Sequence, residues 1–174
     1  IRGGLEKKPT SVAKLVIQKV VESGITLTRN SNPWNNYSVF KDDVEELRQL
    51  GMDTVVNLIY SVSPRHTDEY YAQKAREAAA LKPYSICFKD VGGLLTPERT
   101  RALVPIVLEN IGDTPVEFHA HCNNGLAPLN YLEAIKLGMT TIHTSVPPLA
   151  NASAQPSVFN MARNVRAMGH EVSV

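Results

Sequence analysis

Cysteine is nearly absent from this chain: there are two in 174 residues, Cys87 and Cys122, both inside strand-like segments. Two thiols so placed point to reduced, buried side chains in a cytoplasmic protein, not to a disulfide framework. Net charge is nearly absent too, and a formal value of +1 gives no electrostatic case for nucleic acid or an anionic membrane. No apolar run approaches the roughly 20 residues a membrane helix needs, and no signal-peptide pattern precedes the first element. Linkers, low-complexity runs and signs of a second domain are missing, and no Gly-x-Gly-x-x-Gly follows the first strand. What remains is 43% hydrophobic and 20% charged, in a chain long enough for one domain with a real core.

The segments that are present alternate. Pro9-Thr10-Ser11 offers a helix start, with Val12, Leu15, Val16 and Val20 on one face and Gly24 as the stop. Ile25 to Thr28 reads as a strand and Arg29 to Asn36 as a polar, turn-rich loop. A helix is predicted from about Ser38 to Gly51, with Phe40, Val44 and Leu47 inward. Thr54 to Tyr60 is a mostly apolar run, the mark of a parallel strand covered on both faces. A loop through Pro64 leads to an Ala-rich helix from Thr67 to Leu81. Tyr84 to Phe88 is strand and Lys89 to Gly93 loop; Thr96-Pro97-Glu98 then opens a helix that buries Leu103, Val104, Val107 and Leu108. Pro115 to Cys122 is a short strand, Leu129 to Leu137 a helix ended by Gly138, and Thr140 to Thr144 the last strand. The loop Pro147 to Pro156 leads to a helix from near Ser157, its start capped by that serine, with Phe159, Ala162 and Val165 inward.

Strand and helix thus recur about every thirty residues, the size of a βαβ unit. The fold class is α/β with a parallel sheet, either an open doubly wound sheet or a TIM (β/α)8 barrel. The missing glycine motif weakens the first. In a barrel, the polar residues just after strand ends, Lys89-Asp90, His119-Ala120-His121 and His143, would share the C-terminal face. Five or six βα units are countable, so the barrel would be incomplete. Ile1 reads as already inside a strand and Val174 stops within an apolar pattern, so a piece of a longer protein is expected, with the first strands outside it.

Candidate chemistry gathers on Pro115-Val116-Glu117-Phe118-His119-Ala120-His121-Cys122. Alternation puts His119 and His121 on one face, where two imidazoles either close on a divalent cation or hydrogen-bond within a polar pocket. Lys89 is either a loop lysine at the surface or, desolvated beside a cation, an amine able to react with CO2 and become an anionic oxygen ligand. Asp90 reads as a supporting partner or a helix-facing acid, and His143 as a pocket or packing residue. Cys122 should face away from the histidines. Trp34 and the asparagines around it would line a pocket or form a surface turn.

Several of these segments together resemble the biotin-dependent carboxyltransferases of the HMG-CoA lyase-like TIM-barrel superfamily. These are the carboxyltransferase domain of pyruvate carboxylase, the oxaloacetate decarboxylase alpha subunit and the pyruvate-binding subunit of transcarboxylase. The matching runs are Cys87-Phe88-Lys89-Asp90-Val91-Gly92-Gly93-Leu94-Leu95-Thr96-Pro97, His119-Ala120-His121, Ala154-Gln155-Pro156-Ser157 and Tyr60 to Thr67. A shorter match is Ile1-Arg2-Gly3-Gly4, similar to the family's Arg-Gly-Ala-Asn. The resemblance implies that residues 1–174 are a partial carboxyltransferase barrel domain with a divalent metal (Zn, Mn or Co) at its mouth. It implies that Lys89, carboxylated, holds that metal with His119 and His121. Arg2, catalytic together with Lys89, would bind the α-keto acid carboxylate, and Gln155 would contact substrate. Biotin would arrive on a separate carrier domain or protein, since no Met-Lys-Met site occurs here, and a homo-oligomer is expected. The chain departs from the family in lacking Arg-Asp-x-His-Gln-Ser, which carries an aspartate ligand, and the catalytic threonine; Cys122 stands where pyruvate carboxylase usually has Asp, and Ala154 where the family has Ser.

For the intact protein, these runs imply carboxyl transfer between carboxybiotin and pyruvate or oxaloacetate. A metal-dependent lyase of the HMG-CoA lyase type, without biotin, and a non-catalytic barrel fragment that pairs with partner chains are the other readings.

Overall fold

The computed structural model describes residues 10–174, apart from the side chains of Thr10 and Phe40. The expectations for Ile1 to Gly4, for Pro9 and for an inward Phe40 lie outside the described residues. Helix α1 (Thr10–Glu22) is followed by strand β1 (Leu27–Asn30), a 3-10 turn (Tyr37–Phe40), α2 (Lys41–Gln49) and β2 (Asp53–Ile59). Then come α3 (Asp68–Ala79), β3 (Ser85–Asp90), α4 (Pro97–Asn110), β4 (Val116–Ala120), α5 (Ala127–Lys136), β5 (Thr141–Ile142) and α6 (Val158–Ala167).

The five strands are all parallel and lie in the order β1-β2-β3-β4-β5. Right-handed crossovers that always step to the next strand leave every crossover helix on the same side of the sheet. A doubly wound sheet must instead reverse its strand order at a switch point, and none occurs among the described strands. The architecture is therefore an arc of barrel staves, helices outside.

Alternation along the strands divides the two faces by chemistry. On the helix side, Leu58, Ile86, Phe88, Phe118 and Ala120 are buried with Tyr71, Leu103, Val107, Tyr131 and Ala134 from the helices. Aromatic rings run through this layer: Tyr71–Phe88 centroids are 6.3 Å apart, Phe88–Phe118 5.9 Å and Phe118–Tyr131 5.1 Å, all at steep angles that favour edge-to-face attraction. The opposite, lumen-facing side carries Arg29, Asn57, Ser85, Cys87, Lys89, Glu117 and His119, as the registers Asn57↔Cys87, Cys87↔Glu117 and Lys89↔His119 require.

Several sequence expectations change. Strand β1 runs two residues later than Ile25–Thr28, because Ile25 closes the α1 turn through its N–H to Val20 O, while Arg29 and Asn30 pair with Val55 and Val56. Lys89 and Asp90 are the last residues of β3, not loop. The apolar stripe of α1 is not core: Val12 and Leu15 are exposed, and Leu15, Val16 and Val20 line an open groove of about 430 Å3 with Ile25. In α6, Met161 takes the inward place and Phe159 is exposed, while Ser157 makes no capping side-chain bond and is itself buried. The cap of Thr96 on Arg99 N–H forms as the sequence implies, and Thr67 caps Tyr70 N–H in the same way.

Candidate active site

The C-terminal ends of β3 and β4 place Lys89 and His119 side by side as register partners. Neighbouring strands are about 4.8 Å apart, so the two side chains rise together on the lumen face. His121 follows two residues on, its ring centroid 5.1 Å from that of His119. An imidazole nitrogen bound about 2.1 Å from a cation puts two rings sharing that cation with centroids about 5 Å apart, so this spacing fits joint ligation.

The loop after β5 closes over the pair. Ser145 Oγ donates to Gln155 Oε1 (3.0 Å), and Gln155 Nε2 lies 3.1 Å from His119 Nε2. His121 Nδ1 lies 2.6 Å from the Ser153 carbonyl oxygen. Beneath, His119 Nδ1 meets His143 Nδ1 at 3.1 Å, and His143 Nε2 meets Glu117 Oε2 at 3.0 Å. Glu117 also accepts from Arg29 (3.0 Å) and from the Ser85 hydroxyl (2.5 Å). The structure thus brings Lys89, His119, His121 and Gln155 to one place, and Arg2 lies outside the described residues.

Charge in this pocket is arranged around neutral imidazole. Burial, reinforced by the Lys89 and Arg29 charges, lowers His119 to about 3. Burial pushes Glu117 up, but the His143 and Ser85 hydrogen bonds and the Arg29 guanidinium outweigh it and hold the carboxyl at about 2. Glu117 is therefore the fixed anion of the site, and His119 is in the lone-pair form that a cation needs. Cys87, Glu117 and His143 also bring their donor atoms within 4.8 Å of one another, but burial pushes the Cys87 thiol to about 12, far from the thiolate that binds metal.

Asp90 is the helix-facing acid. It is buried, and its carboxylate accepts from Leu94 N–H (3.0 Å) and Leu95 N–H (2.8 Å), tying down the loop beside the site; burial raises its pKa against the pull of those bonds. Gly93 in that loop has φ +63, and an added Cβ would lie 2.7 Å from His121 O, so only glycine lets the loop press on the His121 backbone. Cys122 faces the core, and Trp34 is 78% exposed on a surface turn. Its neighbour Asn35 is buried and pairs with both Ile59 N–H (2.7 Å) and Ile59 C=O (2.8 Å), acting as a stand-in strand partner. Sequence reasoning did not single out Arg29 and Glu117; the available signal was that Glu117 lies in phase with His119 and His121.

A one-way parallel arc with its polar side chains at the strand C-termini defines a scaffold of the TIM-barrel type. The HMGL-like family model matches residues 22–174, and the chain belongs to that family. A pyruvate carboxylase subunit of Methanocaldococcus jannaschii is 30% identical over 153 residues, which are 88% of this chain and 27% of that protein. The 2-oxoglutarate carboxylase large subunit of Hydrogenobacter thermophilus is 28% identical over 88% of this chain and 24% of its own length. The chain therefore spans about a quarter of these curated relatives. Among solved structures, the carboxyl transferase domain of Rhizobium etli pyruvate carboxylase has a TM-score of 0.83 at 22% identity, covering 90% of this chain and 27% of that one. The same domain has been solved with pyruvate and biocytin. The resemblance carried by Lys89 to Pro97 and His119 to His121 is thus met by relatives of the expected kind, and the fold by its structural neighbours.

Proposed function

We propose that residues 1–174 are part of a carboxyltransferase barrel domain, and that the protein containing them moves a carboxyl group between biotin on a carrier domain and pyruvate or a similar α-keto acid. The observation that carries this reading is the convergence of Lys89, His119 and His121 from adjacent staves, with His119 held neutral. His119 and His121 each have a ring nitrogen to offer a divalent cation. Lys89 supplies the third donor after its neutral amine attacks CO2, forming an N–C bond and releasing a proton to leave an anionic carbamate. That reaction turns one of the pocket's cations into an anion and relieves the repulsion on His119. The bound cation would polarise the keto oxygen and stabilise enolate charge. Gln155, within reach of His119, orients the substrate, Arg2 pairs with its carboxylate, and the buried Asp90 keeps the neighbouring loop seated. Homo-oligomers are part of the same reading.

The test uses the full-length protein. Elemental analysis should find about one divalent cation per chain, and 13C-bicarbonate should give a lysine carbamate signal lost in Lys89→Met together with activity. Avidin should block turnover. A metal-free protein with unmodified Lys89 would defeat the proposal, and activity indifferent to avidin would defeat the biotin part of it.

A further inference from the structure

We propose that Glu117 and His143 are positioning residues that fix His119 as its Nδ1–H tautomer and so present its Nε2 lone pair to the site. The two ends of one hydrogen-bond chain together lead to this assignment. At the first end, Glu117 is gripped by Arg29 from β1 and Ser85 from β3, so the carboxylate cannot turn away and can only accept. His143 Nε2, 3.0 Å from it, must then carry a proton to donate. At the 3.1 Å contact between the two Nδ1 atoms one must donate and the other accept, and the other end of the chain decides which.

At the other end, the Ser145 hydroxyl occupies Gln155 Oε1 and turns the Gln155 N–H toward His119 Nε2, which must therefore be bare. With Nε2 bare, the His119 proton sits on Nδ1 and is donated to His143 Nδ1, which leaves the His143 Nε2–H for Glu117. His121 matches it by a separate route: the Ser153 carbonyl can only accept, so Nδ1 there is also N–H and Nε2 is open. The two imidazoles are thus set alike, one by a carboxylate relay and one by a backbone carbonyl, the two supports that orient histidine ligands elsewhere. His143 serves His119 without touching the substrate.

The relay deepens the proposed function and rests on it only where a cation is involved, so the experiment has two readouts. In 15N-histidine-labelled, metal-free full-length protein, two-bond 1H–15N spectra should show His119 as Nδ1–H. His143→Leu should lose that pattern and bind Co2+, followed by its visible spectrum, roughly 10–100-fold more weakly. His143→Asn, whose Oδ1 restores an acceptor near the Nδ1 position, should recover both. Wild-type His119 protonated at Nε2, or a Leu variant that keeps tautomer and affinity, would overturn the relay. If the Leu variant does not fold, the wild-type spectrum and the Asn variant still decide. If wild type takes up no Co2+, the ligand reading fails, and the tautomer spectrum alone judges the relay.

Discussion

Glu117 is a charged residue inside a β-strand, and its energetics follow from what grips it. Its folded pKa of about 2 lies below the ordinary 4.5, so the carboxylate adds stability that is whole above about pH 4.5 and is lost as pH falls toward about 2. Glu117→Gln should therefore be less stable than wild type at pH 6, and the gap should narrow at pH 3. Urea unfolding at the two pH values checks this; a gap of equal size at both would mean the carboxylate charge is not what matters. At this scale the sequence was legible where residue type is rare and phase is strict. Histidine at 119 and 121 and a lysine directly after an apolar strand are unusual enough to stand out. Glu117 and Arg29 were not, because a lone charge in a strand reads as solvated until its partners on other strands are known, and those of Arg29 lie 28 and 88 positions away.

Among the elements, α5 does more than cover β4. Its Tyr131 is buried, and the hydroxyl meets Ala120 N–H (2.9 Å), Ala120 C=O (3.3 Å) and His143 C=O (2.6 Å). One phenol thus ties the strand that carries His119 to the segment that carries His143. Tyr131→Phe keeps the ring packing against Phe118 but strands a buried N–H and carbonyl. It should cost about 1–3 kcal/mol in chemical denaturation; a loss under about 0.3 kcal/mol would show that water replaces the hydroxyl. Helix α4 was readable from its cap and apolar stripe, α3 from its alanine content and α5 from the glycine that ends it, and the buried residues of all three face the sheet directly. Helix α1 has a stripe of the same kind, yet it remains exposed, because periodicity shows that a face is apolar and not what lies against it. Strand β1 shifted for a related reason: its pairing with β2 is set by register, which a four-residue stretch does not announce.

For the molecule as a whole, strand order decided between the two architectures that alternation had left open. Sequence spacing said that the sheet would be parallel; only the strand pairing shows that its order never reverses. That arc brings Lys89 beside His119 and His121, some 30 residues further along the chain, while Glu117, on the same strand as His119, is gripped by Arg29 from β1 and Ser85 from β3.

The division of the sheet into an aromatic side and a polar side also sets what kinds of change the chain tolerates. Swapping one letter for another disturbs a single position, but removing one residue within β3 reverses every side chain beyond it, driving Phe88 toward the histidines and Lys89 among the rings of Tyr71 and Phe118. Deleting Ile86 should therefore abolish cooperative thermal unfolding, where Ile86→Val leaves it intact. Length within these staves is the property that descent must preserve, and the loops between them are where insertions can accumulate.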